Sequence, residues 1–213
     1  MDRPGSLLYI GNSYFAFNNG VGWHVSRMHA STNPAQRLRS TSALITGSGL
    51  DWHDVDSYFR PGAIGAYSFD ETNKVVFSNH DRLFDVALMM DCSQCPIHPD
   101  LKHRFHDTVR KHGAKPALVM SWAYADRPEM TGELADAYAI AGKANDVPVV
   151  PAGLAFAKAL SEREDVSLHM ADKSHPTLAG TYLVSSCIYA ALFSSPAGLA
   201  YAADLDRPTA AFL

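Results

Sequence analysis

Short apolar runs recur along this chain, separated by longer stretches with helical patterning. Residues 6–10, 37–46, 84–90, 117–122 and 147–150 are apolar or β-branched and are bounded by turn residues, which predicts strands. Such runs suit a parallel sheet covered on both faces. Between them, 21–30, 99–112, 130–143, 152–161 and 177–193 read as helices. In 99–112, Leu101, Phe105 and Val109 repeat every four residues and so share one face. Asn18-Asn19-Gly20 offers an N-cap to the first helix, and Thr131 offers one to the third, which is rich in Ala, Leu and Glu. The alternation predicts a three-layer α/β/α sandwich with a central parallel sheet, as one domain over 1–213. Residues 62–78 break the pattern. They alternate around Asp70-Glu71-Thr72-Asn73 and predict a β-hairpin insertion. Residues 196–213 read as a tail with one short helix and a strap.

Composition narrows the classes. The 213 residues are 47% hydrophobic and 19% charged, an ordinary globular balance with enough chain for a large core. The net charge is −4 with both signs scattered, and without a basic stripe no nucleic-acid partner is expected. No apolar run reaches the length of a membrane span, so no membrane partner is expected either. Asp2 and Arg3 lead straight into the first strand, so the expectation is a cytoplasmic protein, a trimmed leader aside. Cys92, Cys95 and Cys187 are odd in number and too few for a disulfide framework, which fits a reducing compartment.

Two short motifs carry the chemistry. Leu7-Leu8-Tyr9-Ile10 runs into Gly11-Asn12-Ser13, a buried strand that delivers a serine to its tip. In open parallel sheets, ligand sites form beyond the carboxyl ends of strands. Near the other end, Asp172-Lys173-Ser174-His175-Pro176 sets a carboxylate three residues before an imidazole. A serine hydroxyl needs a base to take its proton and a third group to orient that base. Each motif has a plainer reading. Gly-Asn-Ser is ordinary turn chemistry, and Asp172 or Ser174 could cap the helix over 177–193. A Gly-x-Ser-x-Gly elbow is absent, because Phe15 stands where the second glycine belongs. The two motifs together, at opposite ends of an α/β pattern, favour catalysis.

These residues resemble the SGNH (GDSL-like) hydrolase superfamily. Gly11-Asn12-Ser13 is similar to its first block, with Asn in place of the usual Asp. Asp172-x-x-His175-Pro176 is similar to its last block, and Thr46-Gly47-Ser48-Gly49-Leu50-Asp51-Trp52-His53 resembles its second. The resemblance implies a flavodoxin-like α/β/α fold and hydrolysis of an acetyl or other short acyl ester through an acyl-serine intermediate. It implies Ser13 as nucleophile, His175 as base and Asp172 as its orienting partner. Ser13 and Gly47 would donate backbone N–H groups to the oxyanion, each such donor being worth roughly 3 to 4 kcal/mol. The implied partner is a small-molecule ester, with acylated carbohydrates among the candidates, and no cofactor or metal is called for. Activity is expected to rise with pH near the usual histidine pKa of roughly 6.5.

The third block departs from the family pattern. A side-chain amide is expected after the central strand, but 84–90 runs into Asp91-Cys92-Ser93-Gln94-Cys95-Pro96. Gln94 or Ser93 could substitute, and Cys92 is a weak donor. Cys92-x-x-Cys95-x-x-His98, with His103 and His106 beyond, also has spacing that zinc or a thiol–disulfide pair could use. A metal-binding or redox domain, or a binding module without turnover, therefore stands as the alternative. Around the site, Asn12, Tyr14, His53 and Trp122 are the candidate pocket residues, with Phe15 and Phe17 as further acyl-pocket or core aromatics.

Overall fold

The computed structural model describes residues 3–60, 67–77, 82–94, 99–194 and 200–213. Five parallel strands form the central sheet: β1 (Ser6–Gly11), β2 (Arg39–Leu44), β5 (Val86–Met89), β6 (Lys115–Val119) and β7 (Val149–Val150). Their spatial order is β2-β1-β5-β6-β7. Counting sheet strands alone, this is the flavodoxin-like doubly wound order, whose crevice lies where the winding reverses, between β1 and β5. Between β2 and β5 the chain makes the antiparallel hairpin β3 (Tyr67–Phe69) and β4 (Val75–Phe77), turning through Asp70–Lys74. The expected insertion is therefore present, although residues 62–66 and 78 lie outside the described residues.

Among the described residues, six α-helices complete the layers: α1 (Val21–Thr32), α2 (Pro99–Lys111), α3 (Met130–Asn145), α4 (Ala152–Glu162), α5 (Leu178–Phe193) and α6 (Arg207–Phe212). Strand alternation divides the core in two. Leu7, Tyr9, Val86, Leu88, Ala117 and Val119 pack with α1, α4 and α5. Leu8, Ile10, Ala87, Met89, Leu118 and Met120 pack with α2 and α3 on the other face. Both sets are buried, which is why the strands read as continuous apolar runs. Among the described residues, no helix is long and apolar enough to cross a membrane.

Local details differ from expectation. The strands over 37–46 and 117–122 are shorter and end at Leu44 and Val119. Gly20, with φ 84°, is the N-cap of α1 and supplies no side chain, so Asn18 and Asn19 do not cap it. Thr131 lies inside the first turn of α3, whose N-cap is Glu129. Thr177, rather than Asp172 or Ser174, caps α5 by accepting the Gly180 N–H. The tail holds α6 as its short helix, and 196–199 lie outside the described residues.

Candidate active site

β1 ends at Gly11, and the chain turns at once into a 3-10 turn over Ser13–Phe15. Only glycine fits at the strand tip: a Cβ there would stand 2.9 Å from the Met90 carbonyl oxygen and 3.2 Å from the Phe15 ring. Asn12 caps the turn, its Oδ1 accepting the Tyr14 N–H at 3.1 Å. Its Nδ2 donates to the Ser48 carbonyl at 3.0 Å. Asn12 is thus a buried staple between two loops. Ser13 follows at the rim, partly exposed, at the carboxyl end of the sheet beside β5.

The loop before α5 forms a tight turn. His169 bridges Pro176, Met170 N–H donates to the His175 carbonyl, and Lys173 takes φ 65° at the tip. Asp172 Oδ1 accepts the N–H groups of Ser174 at 3.0 Å and His175 at 2.9 Å. Oδ2 stands 2.6 Å from His175 Nδ1. The Ser174 amide, then the imidazole and the His175 amide, hold the Asp172 carboxyl at about 2, well below its ordinary value. An ionised carboxylate only accepts, so Nδ1 carries the ring proton and Nε2 of the neutral imidazole is an acceptor. Nε2 lies 2.9 Å from Ser13 Oγ, across 162 positions of sequence. The structure thereby brings Ser13, His175 and Asp172 into one hydrogen-bonded row in which the hydroxyl donates to the imidazole.

Aromatic residues hold this row. Phe17 stacks on the His175 ring with centroids 4.3 Å apart, and Tyr14 meets it edge-on at 5.6 Å. The Tyr14 hydroxyl and Ser174 Oγ are 2.7 Å apart. Trp122 is fully buried. It stacks on Phe156 and donates from Nε1 to the Ser174 carbonyl at 2.9 Å. Trp122 and Tyr14 therefore brace the loop that carries His175.

Across from the imidazole, the 45–50 loop is pinned at both ends. Ile45 N–H donates to the Gly11 carbonyl, and Leu50 N–H donates to Asp91 Oδ1 at 3.1 Å. Gly47 takes φ 72° at an exposed position with no neighbour near a notional Cβ. Neither its N–H nor that of Ser13 has a partner among the described residues. His53 is buried beneath the loop. Its Nε2 donates to the Gly11 carbonyl at 3.0 Å and its Nδ1 accepts the Tyr58 hydroxyl at 2.8 Å. Burial lowers its pKa. His53 braces the Gly11 strand tip against Tyr58.

Among its described residues, the loop after β5 supplies no side-chain amide to the row. Ser93 is buried and spends its hydroxyl on the Trp122 carbonyl at 2.6 Å, so it cannot be the third donor. Gln94 is exposed and is not held toward Ser13 by any bond among the described residues. Asp91, absent from the sequence expectations, is buried. It ties Leu50 to Cys92 through its carboxylate, and its own N–H donates to the Tyr138 hydroxyl. Its place at the strand end was the one available signal. Cys92 is disulfide-bonded, which departs from the expectation of free thiols in a reducing compartment. Cys95 and His98 lie outside the described residues. Among the described residues no group of His, Cys, Asp and Glu is placed to hold a metal.

No family model matches the sequence, and no curated protein matches it. Solved structures do match. A protein from Slackia heliotrinireducens, described as a possible SGNH hydrolase, superposes with a TM-score of 0.62 at 16% identity, covering 86% of this chain and 96% of that one. An acetyl xylan esterase, AlAXEase, gives 0.63 at 12% identity, covering 88% and 99%. A GDSL-like lipase, so described provisionally, from Parabacteroides merdae gives 0.64 at 11% identity, covering 91% and 97%. At these identities the likeness is one of fold, and the fold is that of the SGNH (GDSL-like) hydrolases.

Proposed function

We propose that this chain of SGNH-hydrolase fold is a serine ester hydrolase that cleaves a small acyl ester, acetyl or slightly longer, through an acyl-serine intermediate. The observation that carries the reading is the 2.9 Å contact of Ser13 Oγ with His175 Nε2, backed by the 2.6 Å contact of Nδ1 with Asp172. Ser13 Oγ attacks the ester carbonyl as Nε2 takes its proton. The imidazolium that forms is stabilised by the Asp172 carboxylate and protonates the departing alkoxide. Water then attacks the acyl-serine with His175 as base again, and Ser13 leaves with its proton restored. The carbonyl oxygen becomes an oxyanion in both steps. The Ser13 and Gly47 N–H groups, without partners among the described residues, are the donors assigned to it. No side-chain third donor is included, since the Ser93 hydroxyl is engaged elsewhere.

The Asp172 carboxyl, held at about 2, stays ionised through the working range. An acetylated carbohydrate is the favoured natural substrate class, because the similar structures include an esterase of acetylated xylan. The test is steady-state hydrolysis of aryl esters of increasing acyl length by the parent and by Ser13→Ala. Turnover that is highest for acetate to butyrate and lost in Ser13→Ala supports the reading. Absence of turnover at every chain length overturns it.

A further inference from the structure

Three consecutive carbonyls surround the catalytic imidazole, and each is fixed from a different part of the chain. Ser174 O accepts from Trp122 Nε1 at 2.9 Å, His175 O from Met170 N–H at 2.8 Å, and Pro176 O from Asn18 Nδ2 at 3.0 Å. The third bond comes from an unusual segment. Asn18, Asn19 and Gly20 take φ values of 55°, 69° and 84° in succession. Such backbone is costly for residues with a Cβ and is kept where surrounding bonds over-determine it. The bonds are present. Asn18 Nδ2 also reaches Thr181 Oγ1 at 2.8 Å, and the Asn18 carbonyl accepts from His24 Nε2 at 2.7 Å. His24 is buried, and with its proton on Nε2 its Nδ1 accepts the Tyr201 hydroxyl at 2.8 Å. Tyr201 is held in turn, its carbonyl accepting the Tyr182 hydroxyl at 3.0 Å.

The geometry points to Asn18 as a positioning residue for His175, held in place by a relay that starts at Tyr201 in the C-terminal segment. This rests on the proposed esterase reading. The side chain of Asn18 sets the carbonyl that follows the base, and Phe17, its neighbour, stacks on the imidazole face. Rotation of this segment would thus move both the ring contact and the backbone anchor of His175. The relay is in series: the Tyr201 hydroxyl acts on His175 only through His24 and Asn18. Groups acting in series do not add, whereas two independent structural contacts do.

The experiment is a double-mutant cycle of Asn18→Gly, which keeps the left-handed backbone and removes the amide, with Tyr201→Phe, which removes one hydroxyl. It is read by kcat and KM on an aryl acetate and by the NMR signal of the His175 Nδ1 proton. Displacement of a catalytic group by about 1 Å can cost on the order of 100-fold. Asn18→Gly should lower kcat by about 30-fold with KM nearly unchanged, and Tyr201→Phe by about 4-fold. The double variant should be slower than Asn18→Gly alone by clearly less than the factor that Tyr201→Phe costs the parent, because with the amide gone Tyr201 reaches His175 only through the segment that carries the Phe17 stack, and each single variant should shift or broaden the Nδ1 signal. Multiplying effects, or kcat and the Nδ1 signal both unmoved in Asn18→Gly, would overturn the assignment. If the parent hydrolyses no ester but both variants move the Nδ1 signal, the positioning role stands and the esterase reading falls.

Discussion

Replacing Asp172 by asparagine should damage the enzyme more than replacing it by alanine. In the native loop one carboxylate oxygen holds the two backbone amides and the other accepts from His175 Nδ1. Asparagine keeps the first oxygen, and with it the turn. That places its NH2 group opposite Nδ1, where two donors cannot face each other. The ring relieves the conflict by moving its proton to Nε2, which then donates to Ser13 Oγ and can no longer accept from it. A well-placed wrong tautomer costs about 10⁴ in kcat in the serine protease precedent, about 5.5 kcal/mol. Alanine imposes no tautomer. The Asp172 side chain is 48% exposed, so water can take its place beside Nδ1. The loss should then be smaller than in Asp172→Asn, and KM should change little in both variants. Initial rates on an aryl acetate, with melting curves to show that both variants are folded, decide the matter. An Asp172→Asn variant as active as Asp172→Ala, or within tenfold of the parent, would refute the tautomer argument.

Trp122→Phe keeps the stack on Phe156 but deletes the Nε1 donor to the Ser174 carbonyl. It should lower kcat by about tenfold through loosening of the base, measured alongside a melting temperature that falls little. Gly11→Ala sets a Cβ against the Met90 carbonyl and the Phe15 ring. It should destabilise the fold by about 1–3 kcal/mol, read from denaturant midpoints. Burial lowers the pKa of His24, His29, His53 and His169. The unfolded chain therefore binds more protons than the fold below about pH 6.5, and stability rises with pH in that window. Urea unfolding at steps from pH 7.5 down to 5 should show a progressive loss. A flat profile would contradict the lowered pKa values that burial gives these rings.

The parts of the site that were legible in the sequence are those with local causes. Leu7-Leu8-Tyr9-Ile10 could only be a strand buried on both faces, and a strand tip fixes where Ser13 emerges. Asp172 and His175 meet because one turn suffices to join them, the carboxylate binding the intervening amides on the way. Bonds to partners from distant loops were not legible. Asn12, His53 and Trp122, expected around a ligand, are buried and each is bonded to another segment's carbonyl: Ser48, Gly11 and Ser174. Nothing near them in sequence reveals those acceptors. Ser93 likewise became a candidate donor because the Trp122 carbonyl that occupies it arrives from the end of the next strand. Asn18-Asn19-Gly20 was expected to offer the N-cap of α1, and Gly20 is that cap, but the role of Asn18 was not visible. The left-handed backbone of Asn18 turns its amide toward Pro176, a consequence of contacts with α5 and the C-terminal segment.

The central claim is that the hydroxyl of Ser13, made nucleophilic by His175, becomes acylated during turnover. Acid-quenching the protein during hydrolysis of an aryl acetate and mapping the product by peptide mass spectrometry tests it directly. One acetyl group should be found on the peptide containing Ser13, and it should be absent after the same treatment of His175→Ala. An acyl group on a different residue, or undiminished turnover by Ser13→Ala, would contradict it.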